Sequence, residues 1–149
     1  MGARGVGVVI AAAVRAVADP EMSGVAIGEL GLVVDVTVTD RHAAVILRPT
    51  FLGCPALAII ESDVRAAALA AGASSVEVIW TTNDPWTPAA ITEVGLQQLA
   101  ELGIGLVGRP CPVCGSTHVE QRSPVGPTAC RSLAWCSSCR TPVELVGRR

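Results

Sequence analysis

The sequence reads C-P-V-C at residues 111–114 and C-S-S-C at residues 136–139. In each pair, the two intervening residues let both sulfurs of a tight turn face one ion, and two such knuckles complete a tetrahedral shell of thiolates. Gly115 follows the first knuckle, where a residue with a left-handed backbone helps to close the turn. The spacing therefore predicts one metal site, whose ligands are Cys111, Cys114, Cys136 and Cys139. Two disulfides or free thiols are the alternative.

The residues around these knuckles form a small module that needs a bound metal or a cross-link to fold. Residues 105–149 are rich in Pro, Cys, Ser, Gly and Arg, and a chain of this length buries too little apolar surface to fold unaided. We expect residues 105–110 to act as a linker, residues 1–104 to form one domain and residues 105–149 to form a four-cysteine metal-binding ribbon. Zinc is the expected ion because a closed four-sulfur site serves structure, although iron or an iron–sulfur cluster uses the same ligands.

The first 104 residues alternate between helical and extended patterns. The predicted elements are a helix at 5–18, a hairpin of strands at 30–39 and 43–47, a helix at 54–71, a strand at 76–80 and a helix at 87–102. Prolines and glycines mark the helix ends. The predicted class is α+β, with a small mixed sheet covered by two or three helices and followed by a zinc-ribbon-like four-cysteine module.

Charge and residue usage exclude several functions. Residues 109–149 hold six Arg against two Glu, and four thiolates with one divalent ion remove about two of those positive charges, which leaves too little for nucleic-acid binding. The sequence contains no stretch of eighteen uncharged apolar residues, so it predicts no membrane span. The chain has two His and no Glu-x-x-His, so it cannot build a di-iron oxygenase site.

Residues 1–18 resemble a signal peptide in one respect, since Ala16-Val17-Ala18 follows an apolar run. Arg15 directly before that site and the glycines within the run favour an amphipathic first helix instead. We therefore expect the cytoplasm, where paired cysteines more often hold metal than form disulfides.

Cys54 is a second thiol of interest, in the stretch R-P-T-F-L-G-C-P at residues 48–55. The stretch joins a predicted strand to a predicted helix, with Cys54 at the N-cap. Unsatisfied N–H groups and the helix dipole stabilise a thiolate there and lower its pKa. Cys54 is the predicted reactive or cluster-handling thiol, and a buried, inert cysteine is the alternative.

Three further residues are auxiliary candidates. Cys130 is either a small buried apolar residue or a functional thiol that acts as an exchange ligand or in redox chemistry. Asp19 and Glu21 either cap a local turn or bring carboxylates close to the loop of Cys54. His118, near the first knuckle, is expected to be a surface residue.

Two sets of motifs together resemble known families. The first set is Asp19-Pro20-Glu21, Leu30-Gly31-Leu32-Val33, Pro49-Thr50-Phe51-x-Gly53-Cys54-Pro55 and Asp84-Pro85-Trp86-Thr87, and it is similar to the domain of SufT and of eukaryotic cytosolic iron–sulfur assembly proteins. The second is Cys111-Pro112-x-Cys114-x-Ser116, residues 126–133 (G-P-T-A-C-R-S-L) and Cys136-x-x-Cys139, and it resembles the PaaD family of phenylacetate degradation (also termed PaaJ subunits). Ser23, Arg131, Thr141 and Val143 depart from the residues usual in those families.

The resemblance implies an accessory, non-catalytic subunit of the multicomponent phenylacetyl-CoA epoxidase. It implies help in the maturation or insertion of the iron–sulfur cluster of the reductase component, with that component or other epoxidase subunits as partners, and a homodimer is a further expectation. Two alternatives stay open: a zinc-ribbon protein–protein interaction module, and a thiol-redox protein that uses Cys54 or Cys130.

Overall fold

The computed structural model describes residues 2–22 and 24–147, and Ser23 lies outside them. Three α-helices and seven strands follow one another in two groups. The elements are α1 (Ala3–Arg15), β1 (Val33–Thr39), β2 (His42–Leu47), α2 (Leu57–Ala70), β3 (Ser75–Trp80), α3 (Glu93–Glu101), β4 (Ile104–Leu106), β5 (Val119–Ser123), β6 (Arg131–Cys136) and β7 (Thr141–Val146). The predicted α+β class is confirmed.

A three-stranded mixed sheet of order β1-β2-β3 organises the first module. The predicted hairpin is present, since β1 and β2 pair antiparallel. Asp40 and Arg41 connect these strands with φ of 48° and 64°, the double left-handed turn that suits the twist of two-residue hairpins. β3 then pairs parallel with β2, because α2 carries the chain back across the sheet.

Apolar periodicity explains how α1 and α2 cover this sheet. Ile60, Val64 and Ala68 of α2 recur every four residues and are fully or almost fully buried. Ile10 and Val14 of α1 share that spacing and are fully buried as well. On β2, every second residue faces these helices, so one face of the strand is buried.

The last predicted helix is shorter than expected. A single helix over 87–102 is wrong, because residues Pro88–Ala90 form a separate 3₁₀ turn and α3 begins only at Glu93. The Thr92 side chain accepts a hydrogen bond from the Gly95 N–H at 3.0 Å, which caps α3. The helix ends before Gly103, as expected.

A second sheet of order β4-β7-β6-β5 spans residues 104–146, and we call this module the ribbon. Its strand β4 corrects the expectation of a linker, since Gly105 and Leu106 belong to β4 and pair parallel with Leu145 and Val146 of β7. Within the described part of the chain, no helix combines the length and apolar character needed to cross a membrane.

The two sheets share buried surface. Ile104, Leu106 and Val146 come from β4 and β7, yet they pack in the main core beside residues of α1, β2 and α2. A smaller core of Ala134, Val143 and neighbouring residues lies around the knuckles. The predicted division between residues 104 and 105 remains a prediction, and the strands on either side of it are packed together.

Candidate functional site

The four predicted ligands converge on one point. The Cys111 and Cys139 sulfurs are 3.8 Å apart, and those of Cys114 and Cys136 are 3.6 Å apart. All four sulfurs lie within 4.8 Å of one another. We call these four residues the knuckle cluster. A tetrahedral ion with metal–sulfur bonds of about 2.3 Å requires sulfurs about 3.8 Å apart, so the cluster fits one ion.

The two knuckles share one backbone design. In the first, the Gly115 N–H donates to the Cys111 carbonyl at 2.8 Å, and the Cys111 N–H donates to the Ser116 carbonyl at 2.7 Å. Gly115 has a φ of 75°, as predicted, and Arg140 follows the second knuckle with a φ of 56°. Each turn therefore closes on a left-handed residue directly after its second cysteine.

Polar side chains fasten one knuckle to the other, a contact that the sequence did not indicate. The Ser116 and Ser138 hydroxyls are 2.7 Å apart, and His118 Nδ1 lies 3.3 Å from each of these hydroxyls. The Ser137 N–H donates to the His118 carbonyl at 3.1 Å. His118 is exposed and outside the knuckle cluster, so it supports the turns.

The local environment makes the pKa values of the cluster's thiols unequal. The N–H groups of Cys139 and Ser138 lower the pKa of the Cys136 thiol to about 6, which favours the thiolate that a metal requires. Burial and the neighbouring sulfurs raise the pKa of Cys139. A cation placed among the four sulfurs would relieve this crowding of negative charge.

Cys54 does not lie at a helix N-cap, contrary to the sequence prediction. α2 begins at Leu57 with Ala56 as its cap, so Cys54 stands in the preceding turn, where its N–H donates to the Phe51 carbonyl at 3.1 Å. Burial raises the pKa of the Cys54 thiol, although the Ala56 N–H opposes this. The predicted fall in pKa is wrong, because loss of water outweighs the hydrogen bond from the Ala56 N–H.

Cys130 belongs to the ribbon by sequence, but it packs against the core of the first module. It stands in the loop between β5 and β6, where its sulfur lies 3.2 Å from the Thr128 hydroxyl. Burial raises the pKa of the Cys130 thiol as well. Both thiols are half-buried and favour the neutral form, which disfavours a thiol-redox role at neutral pH.

Asp19 and Glu21 belong to the same neighbourhood. Asp19 is only 4 % exposed, and its Oδ1 accepts the Glu21 N–H at 2.8 Å. Burial raises the pKa of Asp19, and the charges of Asp19 and Glu21 raise the pKa of both Cys54 and Cys130. We call Cys54, Cys130, Asp19 and Glu21 the junction cluster.

The other motif residues of the first module hold its loops in place. The Arg48 Nε–H donates to the Gly31 carbonyl at 2.9 Å, and its guanidinium pairs with Asp84 at 2.7 Å. The Trp86 indole N–H donates to the Leu30 carbonyl at 2.7 Å. Gly31 has a φ of 76°, and a Cβ there would lie 2.4 Å from the Ala90 carbonyl oxygen, so only glycine fits.

Comparisons with known proteins match this architecture. Residues 106–147, which contain the knuckle cluster and Cys130, match the family described as "PaaD zinc beta ribbon domain". Residues 8–80, which contain Asp19, Glu21 and Cys54, match the family described as "Iron-sulfur cluster assembly protein". A curated relative from Escherichia coli K12 is 32% identical over 137 residues, with 85% of this chain and 83% of that protein covered, and it bears the name of a "Putative 1,2-phenylacetyl-CoA epoxidase" subunit.

The chain belongs to the PaaD family. Solved structures add the fold of its first module. This PaaD-family chain resembles a domain of unknown function, DUF59, from Bacillus anthracis, with a TM-score of 0.56, 32% identity, and coverage of 62% of this chain and 89% of that one. A conserved hypothetical protein from Thermotoga maritima gives a TM-score of 0.52 at 30% identity, with 63% and 90% covered.

Proposed function

We propose that this PaaD-family protein is an accessory subunit of a multicomponent phenylacetyl-CoA epoxidase that assists iron–sulfur cluster maturation or insertion in the reductase component. Its relative from Escherichia coli is named as a subunit of that epoxidase, and its first module matches an iron–sulfur cluster assembly family. The observation that carries the proposal is the joining of that module to the PaaD ribbon through one shared core.

In this role, Cys54 is the cluster-handling thiol, and Cys130, Asp19 and Glu21 assist it. The thiol stands in a turn of the first module, half-buried at the margin of its core. Thiolates are the usual ligands of iron–sulfur clusters, so a single exchangeable sulfur suits a protein that delivers iron rather than keeping it. The reductase component and other epoxidase subunits are the proposed partners.

The knuckle cluster has a different role, and we propose zinc as its ion. Its sulfurs are close enough to share one ion, whereas a cluster of several irons spreads its cysteine ligands over different ions. Zinc in a closed four-sulfur site supplies shape and no redox chemistry. Protein purified without air should contain about one zinc per chain and be colourless. A brown protein that contains iron in place of zinc would reject this assignment.

The test of the proposed function is Cys54→Ala in cells that express all the epoxidase components. We expect normal zinc content and thermal unfolding, because Cys54 packs only at the margin of the core. We also expect loss of reductase cluster content and of epoxidase activity. Leu69→Ala, on an exposed face of α2 about 18 Å along that helix from its start, is the matched control and should change neither. Full reductase clusters in the Cys54→Ala cells would refute the role.

A further inference from the structure

β5 is the outer strand of the ribbon sheet, and one of its two edges is free. The order β4-β7-β6-β5 pairs β5 with β6 alone, so no strand among the described residues covers its other side. β5 also lies at the far end of the sheet from β4, whose residues pack in the main core. Glu120, Gln121 and Arg122, in the middle of β5, are exposed. The edge is therefore open to a further strand.

The hydrogen bonds beside β5 show which backbone groups face that edge. The His118 carbonyl accepts the Ser137 N–H at 3.1 Å, so the His118 carbonyl points toward β6. Backbone groups alternate in direction along an extended strand, so those of Val119 and Gln121 point the other way. The Val119 N–H accordingly donates to the Thr117 carbonyl at 2.9 Å instead of to β6. Gln121 thus presents an N–H and a carbonyl at the free edge.

The charges on β5 are complementary to those of a second copy of the same strand. Glu120 and Arg122 lie on one face of the strand, where their side chains pair at 2.9 Å. In an antiparallel pair centred on Gln121, Glu120 of each copy stands opposite Arg122 of the other. Two cross-strand pairs of opposite charge then form, and such pairs stabilise a sheet.

Charged residues on an edge strand can also prevent pairing, but the pattern on β5 does not suit that role. Charges protect an edge when they repel an approaching strand, as a row of one sign does. The signs on β5 differ on the two sides of Gln121, so an antiparallel copy is attracted at both positions. The side chains of Glu120 and Arg122 are 70% and 62% exposed, so they can exchange partners without leaving a buried site.

We propose that two copies of this chain associate through β5, antiparallel about a two-fold axis at Gln121, and join their four-stranded sheets into one. A two-fold interface requires a patch that is complementary to itself, which the order Glu120, Gln121, Arg122 satisfies. The two Gln121 residues exchange N–H···O=C bonds at the axis. Moving the axis by one residue would oppose two Glu120 or two Arg122 side chains, so the charges also fix the register.

The test is sedimentation velocity of the full-length protein from micromolar to millimolar concentration, with zinc content measured for each variant. We expect a monomer–dimer equilibrium, because a strand of five residues gives a small interface that dissociates on dilution. Glu120→Arg and Arg122→Glu should each raise the dimer dissociation constant at least about tenfold, since two attractive cross-strand pairs become repulsive. Glu77→Arg, at an exposed position of β3, makes the same change in net charge as Glu120→Arg and should leave the constant unaltered.

Reversing both charges decides whether the two strands meet as proposed. The double variant Glu120→Arg/Arg122→Glu again opposes unlike charges across the axis and should regain the wild-type dissociation constant. An equimolar mixture of the two single variants should form a heterodimer, although each alone is monomeric. A wild type that stays monomeric throughout, single reversals that leave the constant unchanged, or a double variant that does not recover dimerisation would each overturn the proposal.

Gln121→Pro tests the backbone contact separately. Proline is tolerated in an edge strand where the N–H faces solvent, so the monomer should retain its zinc and its thermal unfolding while dimerisation is lost. Gln121→Ala keeps the N–H and should dimerise as the wild type does. Dimerisation of a zinc-retaining Gln121→Pro protein would overturn the proposal, and the charge variants decide if that protein does not fold. None of these changes touches Cys54, so the test of the proposed function stands apart.

Discussion

The knuckle cluster and the junction cluster both contain cysteine sulfurs, but they arrange them differently. The four knuckle sulfurs lie within 4.8 Å of one another before any ion is considered, and two matched turns hold them there. The two junction thiols are half-buried in separate loops. The difference teaches that convergence of the ligand atoms, which the knuckle sulfurs have and the junction thiols lack, is what prepares a metal site.

The local electrostatics follow the same division. Backbone N–H groups lower the pKa of Cys136 and so favour its thiolate. At the junction, burial raises the pKa of Cys54 and Cys130, and nearby carboxylates add to the effect. Neutral thiols react slowly with oxidants and alkylating agents, so Cys54 and Cys130 should be alkylated slowly at neutral pH. Each of the following changes tests one side of this contrast.

The largest effect should come from Cys136→Ser, which removes one of the four knuckle ligands. We expect loss of the metal and unfolding of β5, β6 and β7, because binding free energy in small zinc modules, about 10–16 kcal/mol, is also folding free energy. Metal content and amide chemical shifts measure the result. Ser137→Ala, the neighbouring exposed position, should retain both. A Cys136→Ser protein with unchanged metal and shifts would show that the four sulfurs do not share an ion.

An intermediate effect is expected from Gly126→Ala, which disturbs the junction and spares the knuckles. A Cβ at Gly126 would lie 2.7 Å from the Arg131 carbonyl oxygen, so the Cys130 loop must shift, at a cost of about 1–3 kcal/mol. We expect the free energy of unfolding to fall by that amount while zinc stays bound. Gly7→Ala is the control, because its Cβ would meet only the Val38 Cβ, at 3.6 Å, and alanine favours a helix by about 0.5–1 kcal/mol. A Gly126→Ala protein that is as stable as the wild type would contradict the close approach of Gly126 to Arg131.

The smallest effect on stability is expected from Asp19→Asn. Burial raises the pKa of Asp19 in the folded protein, so its contribution to stability is complete below the unfolded pKa, about 3.9, and is lost as pH rises through the folded pKa. At pH 7 the buried charge therefore costs stability. The amide can still accept the Glu21 N–H, so the variant should be as stable as the wild type or about 0.5 kcal/mol more stable.

Urea unfolding between pH 4 and pH 7 measures this difference, which should shrink toward pH 4, where the wild-type carboxyl is increasingly neutral. A variant that loses stability relative to the wild type as pH rises would have the opposite sign and contradict the argument.

Local patterns account for what the sequence predicts well. The alternation before Asp40-Arg41 defines the hairpin, and the two-residue spacing of each cysteine pair defines a knuckle, since both features need only neighbouring residues. The turn residue Gly115 is correct for the same reason. Thr92 was available as a helix-start signal and, with Gly95, marks where α3 begins.

Long-range packing accounts for what the sequence does not predict. Ile104–Leu106 is too short for any periodicity and becomes a strand only because β7, some forty residues later, pairs with it. The pKa of Cys54 rises because distant parts of the chain exclude water from it. That Cys54 and Cys130 pack against the same core depends on how the ribbon packs on the first module, which no local pattern encodes.

The strand order of the ribbon has a consequence for biosynthesis. β7 is made after β4, β5 and β6, yet it lies between β4 and β6 and is the strand that links them. The β1-β2-β3 sheet can therefore assemble on the ribosome while β4 still waits for its partner. Because β7 is an interior strand, the ribbon sheet can close only after the last of its strands has been made.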